Sequence, residues 1–450
     1  MRAEEVMALH ERRVPRYTSY PTAPCFHAGV EAATYRGWLE AIDGGARVSL
    51  YLHVPFCAAM CWYCGCHTTV AKSYGPIAGY AGLLAREIDL VADLLPAGLR
   101  VAEVHWGGGT PNLLSGADLQ LVSETIGRRF ALTPETEIAA ELDPRSLDGD
   151  KVRALAACGV NRVSLGVQDI DPTVQAAINR RQPYAVTAAA VERLRACGID
   201  RINLDLMYGL PYQTAKGIAA TAGQVMALAP DRIALFGYAH VPWMKPHQRQ
   251  IPDQALPDTA ARVAQYQAAS QAIAGAGYRP IGIDHFARPE DALARAADAG
   301  ILRRNFQGYT TDDAPVLLGF GASSIGSLPQ GYVQNDATIA GWRSAIAAGA
   351  LATRRGVALG GDERLRRAII ERLMCDLTVD LACECRKHGV DPARFAAACD
   401  AMDALAARGL GWRRGWRLGV DERDRPLVRI VCALFDAYLA PTPARHSRVV

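Results

Sequence analysis

Short apolar, β-branched runs recur through the middle of the chain, and each is followed by a longer stretch with the three-to-four-residue apolar spacing of a helix. The runs are VSLYLHV (48–54), VAEVHW (101–106), TEIAAEL (136–142), VNRVSLGV (160–167), RINLDLMY (201–208) and DRIALFGY (231–238). Between them, YAGLLAREIDLVADLL (80–95), GADLQLVSETIGRRF (116–130) and KVRALAAC (151–158) read as helices. Ser115, with Asp118 three positions on, starts the second, and Gly159 ends the third. VRALAACGVNRVSL (152–165) matches VERLRACGIDRINL (191–204), so one helix–glycine–strand unit is repeated. Near-continuous apolar strands alternating with helices predict a parallel sheet covered on both faces. Six such units point to an α/β fold, a partial parallel (β/α)6 barrel; a doubly wound open sheet is the alternative.

The flanks differ. Residues 1–45 read as an irregular arm punctuated by Pro15, Pro21 and Pro24, whose aromatic stretch RYTSYPTAPCFH (16–27) suits packing on a larger body. The barrel region is assigned to 46–355, its last part (278–327) read as closing strands and loops. Residues 356–450 form a mostly helical C-terminal domain with a hairpin at GWRRGWRLGVD (411–421) and a last helix over 425–440.

Of 450 residues, 50% are hydrophobic and 21% charged, which excludes global disorder. Lys+Arg number 49 and Asp+Glu 46, a net charge of +3, so neither a nucleic-acid nor an anionic-membrane partner is indicated. No apolar stretch is long enough to span a membrane, and the charged N-terminus lacks the apolar core of a secretion signal. A cytoplasmic location follows as the expectation. In that reducing setting, twelve cysteines read as ligands, reactive thiols or buried apolar groups.

Four of the twelve, Cys57, Cys61, Cys64 and Cys66, fall in ten residues directly after the first strand, at the end where parallel barrels carry their chemistry. Clustering on a loop argues against four buried apolar cysteines. Structural zinc sites draw paired ligands from separated segments, so four thiolates in one loop would strain a zinc site. A C-x3-C-x2-C triplet can instead hold three irons of a [4Fe–4S] cube and leave the fourth open. Gly107-Gly108-Gly109-Thr110-Pro111, at the end of the next strand, lets backbone approach a ligand closely. The other eight cysteines are assigned to packing, Cys383-x-Cys385 included because no second pair lies near it in sequence.

These features bring in a family. The chain resembles the radical S-adenosylmethionine (SAM) oxygen-independent coproporphyrinogen III oxidases over nearly its whole length. The resemblance runs through PRYTSYPTA (15–23), YLHVPFCAAMCWYCGC (51–66), HWGGGTPNLL (105–114), ELDPR (141–145), RVSLGVQD (162–169), NLDLMYGLP (203–211), YAHVPWMKPHQR (238–249), DHFARPED (284–291), NFQGYTTD (305–312) and FDAYLA (435–440). It implies a radical SAM barrel in which Cys57, Cys61 and Cys64 hold the cluster, while Cys66 is not a ligand yet is needed for activity. It implies two SAM molecules: Tyr51, Gly108, Glu141 and Ile325 match contacts to one, and Tyr63, Gly109, Thr110, Gln168, Arg180, Asp205 and Ala239 match contacts to the other.

The reaction implied is oxidative decarboxylation of two propionates of coproporphyrinogen III to vinyls, giving protoporphyrinogen IX for haem biosynthesis. A SAM-derived 5′-deoxyadenosyl radical abstracts the hydrogen; an electron donor and a terminal acceptor are required, and the resemblance suggests a monomer. The substrate's four carboxylates call for cationic partners, with Arg249, Arg288 and Arg304 as candidates, and Tyr17 and Tyr20 as covers from the arm. Two relatives in function compete. Haem chaperones related to this family keep the triplet but usually lack the fourth cysteine and the arm, both present here. Radical SAM methyltransferases of related architecture are the other.

Overall fold

The computed structural model describes residues 3–439 and Val449. The six apolar runs become β1 (Arg47–Val54), β2 (Arg100–Gly108), β3 (Glu137–Leu142), β4 (Arg162–Gln168), β5 (Arg201–Tyr208) and β6 (Arg232–Gly237). They are all parallel and pair in chain order. Pairing in chain order excludes the doubly wound alternative, whose strand order reverses at a switch point. β7 (Arg279–Ile281) and β8 (His285–Ala287) extend the sheet beyond β6. On the other side, β9 (Val316–Phe320) lies parallel to β1, followed by antiparallel β10 (Ile325–Leu328), β11 (Gly331–Asn335) and β12 (Thr353–Ala358). The twelve-stranded sheet keeps two free edges, β7 and β12, so the barrel is partial.

Helices fill the crossovers where the periodicity placed them, at Gly75–Ala92, Gly116–Arg129 and Gly149–Ala157. In the repeat, the helices Gly149–Ala157 and Tyr184–Ala196 both close on a glycine at positive φ, Gly159 and Gly198, before the next strand. One apolar core runs from Leu9 of the arm through Leu50 and Leu52 of β1 to Ile369 and Phe435.

Two expectations are corrected. The first 45 residues are not wholly irregular: Ala3–His10 and Ala32–Glu40 are helical. The second buries Tyr35 and Leu39, an i,i+4 pair too short to stand out as a pattern. The last helix is not continuous over 425–440. A 3-10 segment (Glu422–Leu427) containing Pro426 gives way to Val428–Cys432 and a further 3-10 turn, because proline is compatible only with a first helical turn. Residue 440 of that stretch lies outside the described residues.

Candidate active site

The cysteine loop leaves the C-terminal end of β1 and is tied down at many points. Trp62 donates its N–H to the Ile178 carbonyl (2.9 Å), and the Asn179 side chain donates to the Met60 carbonyl (2.8 Å). From the far side, segment 239–250 reaches back. Lys245 Nζ donates to the Cys66 carbonyl (2.8 Å), His247 Nε2 lies 2.8 Å from the Cys64 carbonyl, and buried Gln248 donates to both the Tyr63 and Ala239 carbonyls.

Each thiol of the triplet has polar company. Cys57 Sγ accepts from Thr110 Oγ1 (3.5 Å) and lies 3.1 Å from Thr68 Oγ1; burial pushes the thiol up. Cys61 Sγ, buried, receives Arg145 Nη2 and Arg180 Nη1, both at 3.6 Å. Cys64 Sγ accepts the Cys66 N–H at 3.4 Å, and a hydrogen bond from the Cys66 thiol brings it down to about 7. Cys66, exposed, is pushed up in return by the thiolate beside it. Among the described residues no three His, Cys, Asp or Glu side chains are arranged to hold a single metal ion. In a cube the three thiolates bind different irons and need not converge.

The glycine strand end is a cradle that side chains would fill. A Cβ on Gly109 would stand 2.6 Å from the Phe56 carbonyl oxygen, and Gly108, at φ +113°, faces the His53 ring at 2.9 Å. Across from it, Glu141 accepts the Gly108 N–H (3.3 Å) and pairs with His105 Nε2 (3.1 Å), whose Nδ1 is 3.6 Å from Glu103. Burial opposes charge on His105, but its bonds to the two glutamates outweigh that and raise it to about 10. His105 is therefore a fixed cation between two carboxylates, and Glu141 is held ionised below the usual range despite burial. Tyr51 stacks on His105 and hydrogen-bonds His53.

Gln168, at φ +70°, ends β4 with its buried Oε1 lacking a partner among the described residues. Arg180 bonds the Gly166 carbonyl (2.7 Å) and straddles Asp143 at 3.4 Å. Asp205 is held by Ser164 and Asn203, and burial raises it to about 6. Glu103, His105, Glu141 and Asp205 line one lumen of about 140 Å³. Ile325 starts β10, half-buried, with its carbonyl against Gly319.

A cluster fits these residues: clustered thiols with hydrogen-bond donors on sulfur suit thiolate ligation. SAM fits as well. The unpartnered Gln168 oxygen offers an acceptor, and Glu141 and Asp205 can receive ammonium or ribose donors. If Asp205 makes such a contact, SAM affinity should rise roughly 10-fold or more as pH climbs through about 6, where its carboxylate forms. Isothermal titration should show that rise flattened in Asp205→Asn.

Some expected residues lie elsewhere. Arg288 donates to the Ala229 and Pro230 carbonyls before β6, at the opposite end of the barrel from the cysteines. Arg304 is buried over the Tyr309 ring, 3.8 Å from Asp284. Tyr17 donates to Asp436, and Tyr20 accepts the Ala437 N–H, so these tyrosines clamp the arm to the C-terminal segment. Sequence reading passed over Arg16, which reaches the Gly237 carbonyl at the exit of β6 (2.7 Å), and His53, His105, Arg145 and Gln248. All five sit inside recognised motifs, Arg16 in PRYTSYPTA (15–23); what the motif does not mark is that Arg16 meets the β6 exit.

Comparison with known proteins agrees with this geometry. A family model described as the radical SAM superfamily matches residues 51–225. An oxygen-independent coproporphyrinogen III oxidase of Bradyrhizobium diazoefficiens is 49% identical over 450 residues, covering 100% of both chains. Its counterpart in Paracoccus denitrificans is 44% identical over 439 residues, 96% of each. The solved structure of coproporphyrinogen III oxidase from Escherichia coli, described as a radical SAM enzyme, is 35% identical with a TM-score of 0.90, covering 95% of this chain and 100% of that one. With identity at this level along its entire length, the chain belongs to the oxygen-independent coproporphyrinogen III oxidases, radical SAM enzymes.

Proposed function

We propose that the chain catalyses oxygen-independent oxidative decarboxylation of two propionates of coproporphyrinogen III, giving protoporphyrinogen IX. The observation that carries this reading is the placement of three thiols, each with a hydrogen-bonding neighbour at its sulfur, beside a glycine cradle faced by Glu141. Cys57, Cys61 and Cys64 would hold a [4Fe–4S] cluster. Tyr51, Gly108, Glu141 and Ile325 would hold one SAM, and Tyr63, Gly109, Thr110, Gln168, Arg180, Asp205 and Ala239 a second. With SAM bound, the cluster supplies the one-electron chemistry that removes hydrogen from the propionate β-carbon.

The chain's own residues do the rest. Arg145 and Arg180 each direct a guanidinium nitrogen at the Cys61 sulfur. His105 keeps Glu141 ionised and aimed at the Gly108 N–H. Gln248, His247 and Lys245 fasten the cysteine loop to the β6 exit and so fix its distance from whatever binds there. Cys66, exposed and with its thiol pushed up by Cys64, stands beside the triplet without being one of the proposed ligands. Among the described residues no helix is long and apolar enough to cross a membrane.

The test is anaerobic reconstitution followed by reduction, SAM and coproporphyrinogen III. Protoporphyrin after oxidation, formed in step with 5′-deoxyadenosine, is the expected result. An intact cluster and SAM binding with no decarboxylation would reject the reading.

A further inference from the structure

A cavity of about 430 Å³ opens beside the cysteine loop, within the size range of small-molecule sites. One wall is the β6 exit, Gly237 to Ala239, and another is Tyr208 with Arg262 from the helix Thr259–Gly275. The N-terminal arm supplies Arg13 and Arg16, and Trp243 stands at the rim, 40% exposed. Ala239 in its wall is joined through Gln248 to the Tyr63 carbonyl of the cysteine loop, so one side chain separates the cavity lining from that loop.

The charges here do not balance. Two carboxylates line the cavity, and both are engaged: Asp253 pairs with His240 (3.1 Å), and Asp284 with His285 (2.7 Å) and Arg304 (3.8 Å). Among the described residues, no carboxylate lies within ion-pair distance of Arg13 or Arg16. Arg16 spends one nitrogen on the Gly237 carbonyl, and Arg13 lies over the Trp243 ring at 5.7 Å. Burial disfavours charge on both Arg16 and Arg429, Asp284 offsets part of that for Arg16, and Arg16 adds to it for Arg429, so two like charges share this wall. Gathering like charges at a cavity wall is costly unless an anion answers them. Guanidinium groups are suited to bind carboxylates in two-point fashion.

We propose that Arg13 and Arg16 bind propionate carboxylates of the tetrapyrrole that are not reacting, and so set how the reacting propionate is presented. The inference rests on the function proposed above and adds the carboxylate site. It makes the arm a specificity-determining element: the Tyr17 and Tyr20 clamps fix the arm, and Arg16 reads the substrate.

The experiment compares full-length wild type, Arg13→Gln/Arg16→Gln and Arg13→Lys/Arg16→Lys, each reconstituted anaerobically. KM for coproporphyrinogen III, SAM affinity and the cluster's electron paramagnetic resonance signal are measured. Expected are a KM at least about 10-fold higher in the Gln pair, substantial recovery in the Lys pair, and unchanged SAM affinity and cluster signal. Unchanged KM in the Gln pair would overturn the carboxylate site, and so would a parallel loss of SAM binding or cluster, which marks a structural role. If wild type itself fails to convert the porphyrinogen, the functional reading has failed, and the carboxylate site falls with it.

Discussion

Cys64→Ala is expected to yield a protein that retains no stable iron–sulfur cluster, whereas Cys66→Ala keeps the cluster and loses turnover. The two residues are two positions apart on one loop, yet the fold treats them oppositely. Cys64 is drawn down to about 7 by the Cys66 thiol and N–H, with Lys245 and Arg180 adding positive charge. A thiol already near its thiolate form at neutral pH is the better ligand, since metal binding requires deprotonation. Cys66 is exposed and pushed up by the same neighbour, so within this pair Cys64 is the better ligand. Iron and sulfide analysis should therefore show wild-type loading in Cys66→Ala and a collapse in Cys64→Ala. For Cys66→Ala, product formation should fall by about 10²-fold or more, the size of effect that misplacing a group at a reaction centre brings. Normal loading in Cys64→Ala would remove it from the ligand set.

The second large effect is on stability. Glu87→Leu should destabilise the fold by about 3–5 kcal/mol, read by chemical denaturation, because three buried donors lose their acceptor. Glu87, from the helix Gly75–Ala92, accepts the Gly321 N–H (2.6 Å), Asn335 Nδ2 (2.6 Å) and Trp342 Nε1 (3.0 Å). It thereby pins the turn after β9 to the end of β11. Tyr80 on the same helix bridges that turn to β1, donating to the His53 carbonyl and accepting the Ala322 N–H. Loosening the turn should also disturb the neighbouring glycine cradle. Burial raises Glu87 from 4.5 to about 7. The folded state therefore binds this proton more tightly than the unfolded chain. That stabilising share is complete below about pH 4.5 and is lost as pH rises through about 7. The stability difference between wild type and Glu87→Gln should narrow over that interval; a difference that widens would show the carboxylate, not the acid, to be the favoured folded form.

The sequence by itself determined whatever depends on neighbours along the chain. Six parallel strands were legible because strands buried on both faces must be apolar throughout, and VSLYLHV and RINLDLMY carry that texture whatever surrounds them. The cysteine site was legible because its thiols lie within ten residues and the glycines that face it are consecutive. Tertiary structure alone decided which charges meet. Arg16 and Gly237 are 221 residues apart, and Glu87 and Asn335 are 248 apart. His105 lies within a recognised motif, but its raised proton affinity rests on Glu103, two positions back on its own strand, together with Glu141 from the adjacent one. Arg288 and Arg304 are both arginines in loop-like segments, and sequence could not tell that one turns to the far end of the barrel and the other into the core. Periodicity reports which face of an element is buried, whereas the partner across a cavity is set by how the curved, open-edged sheet brings distant strand ends together.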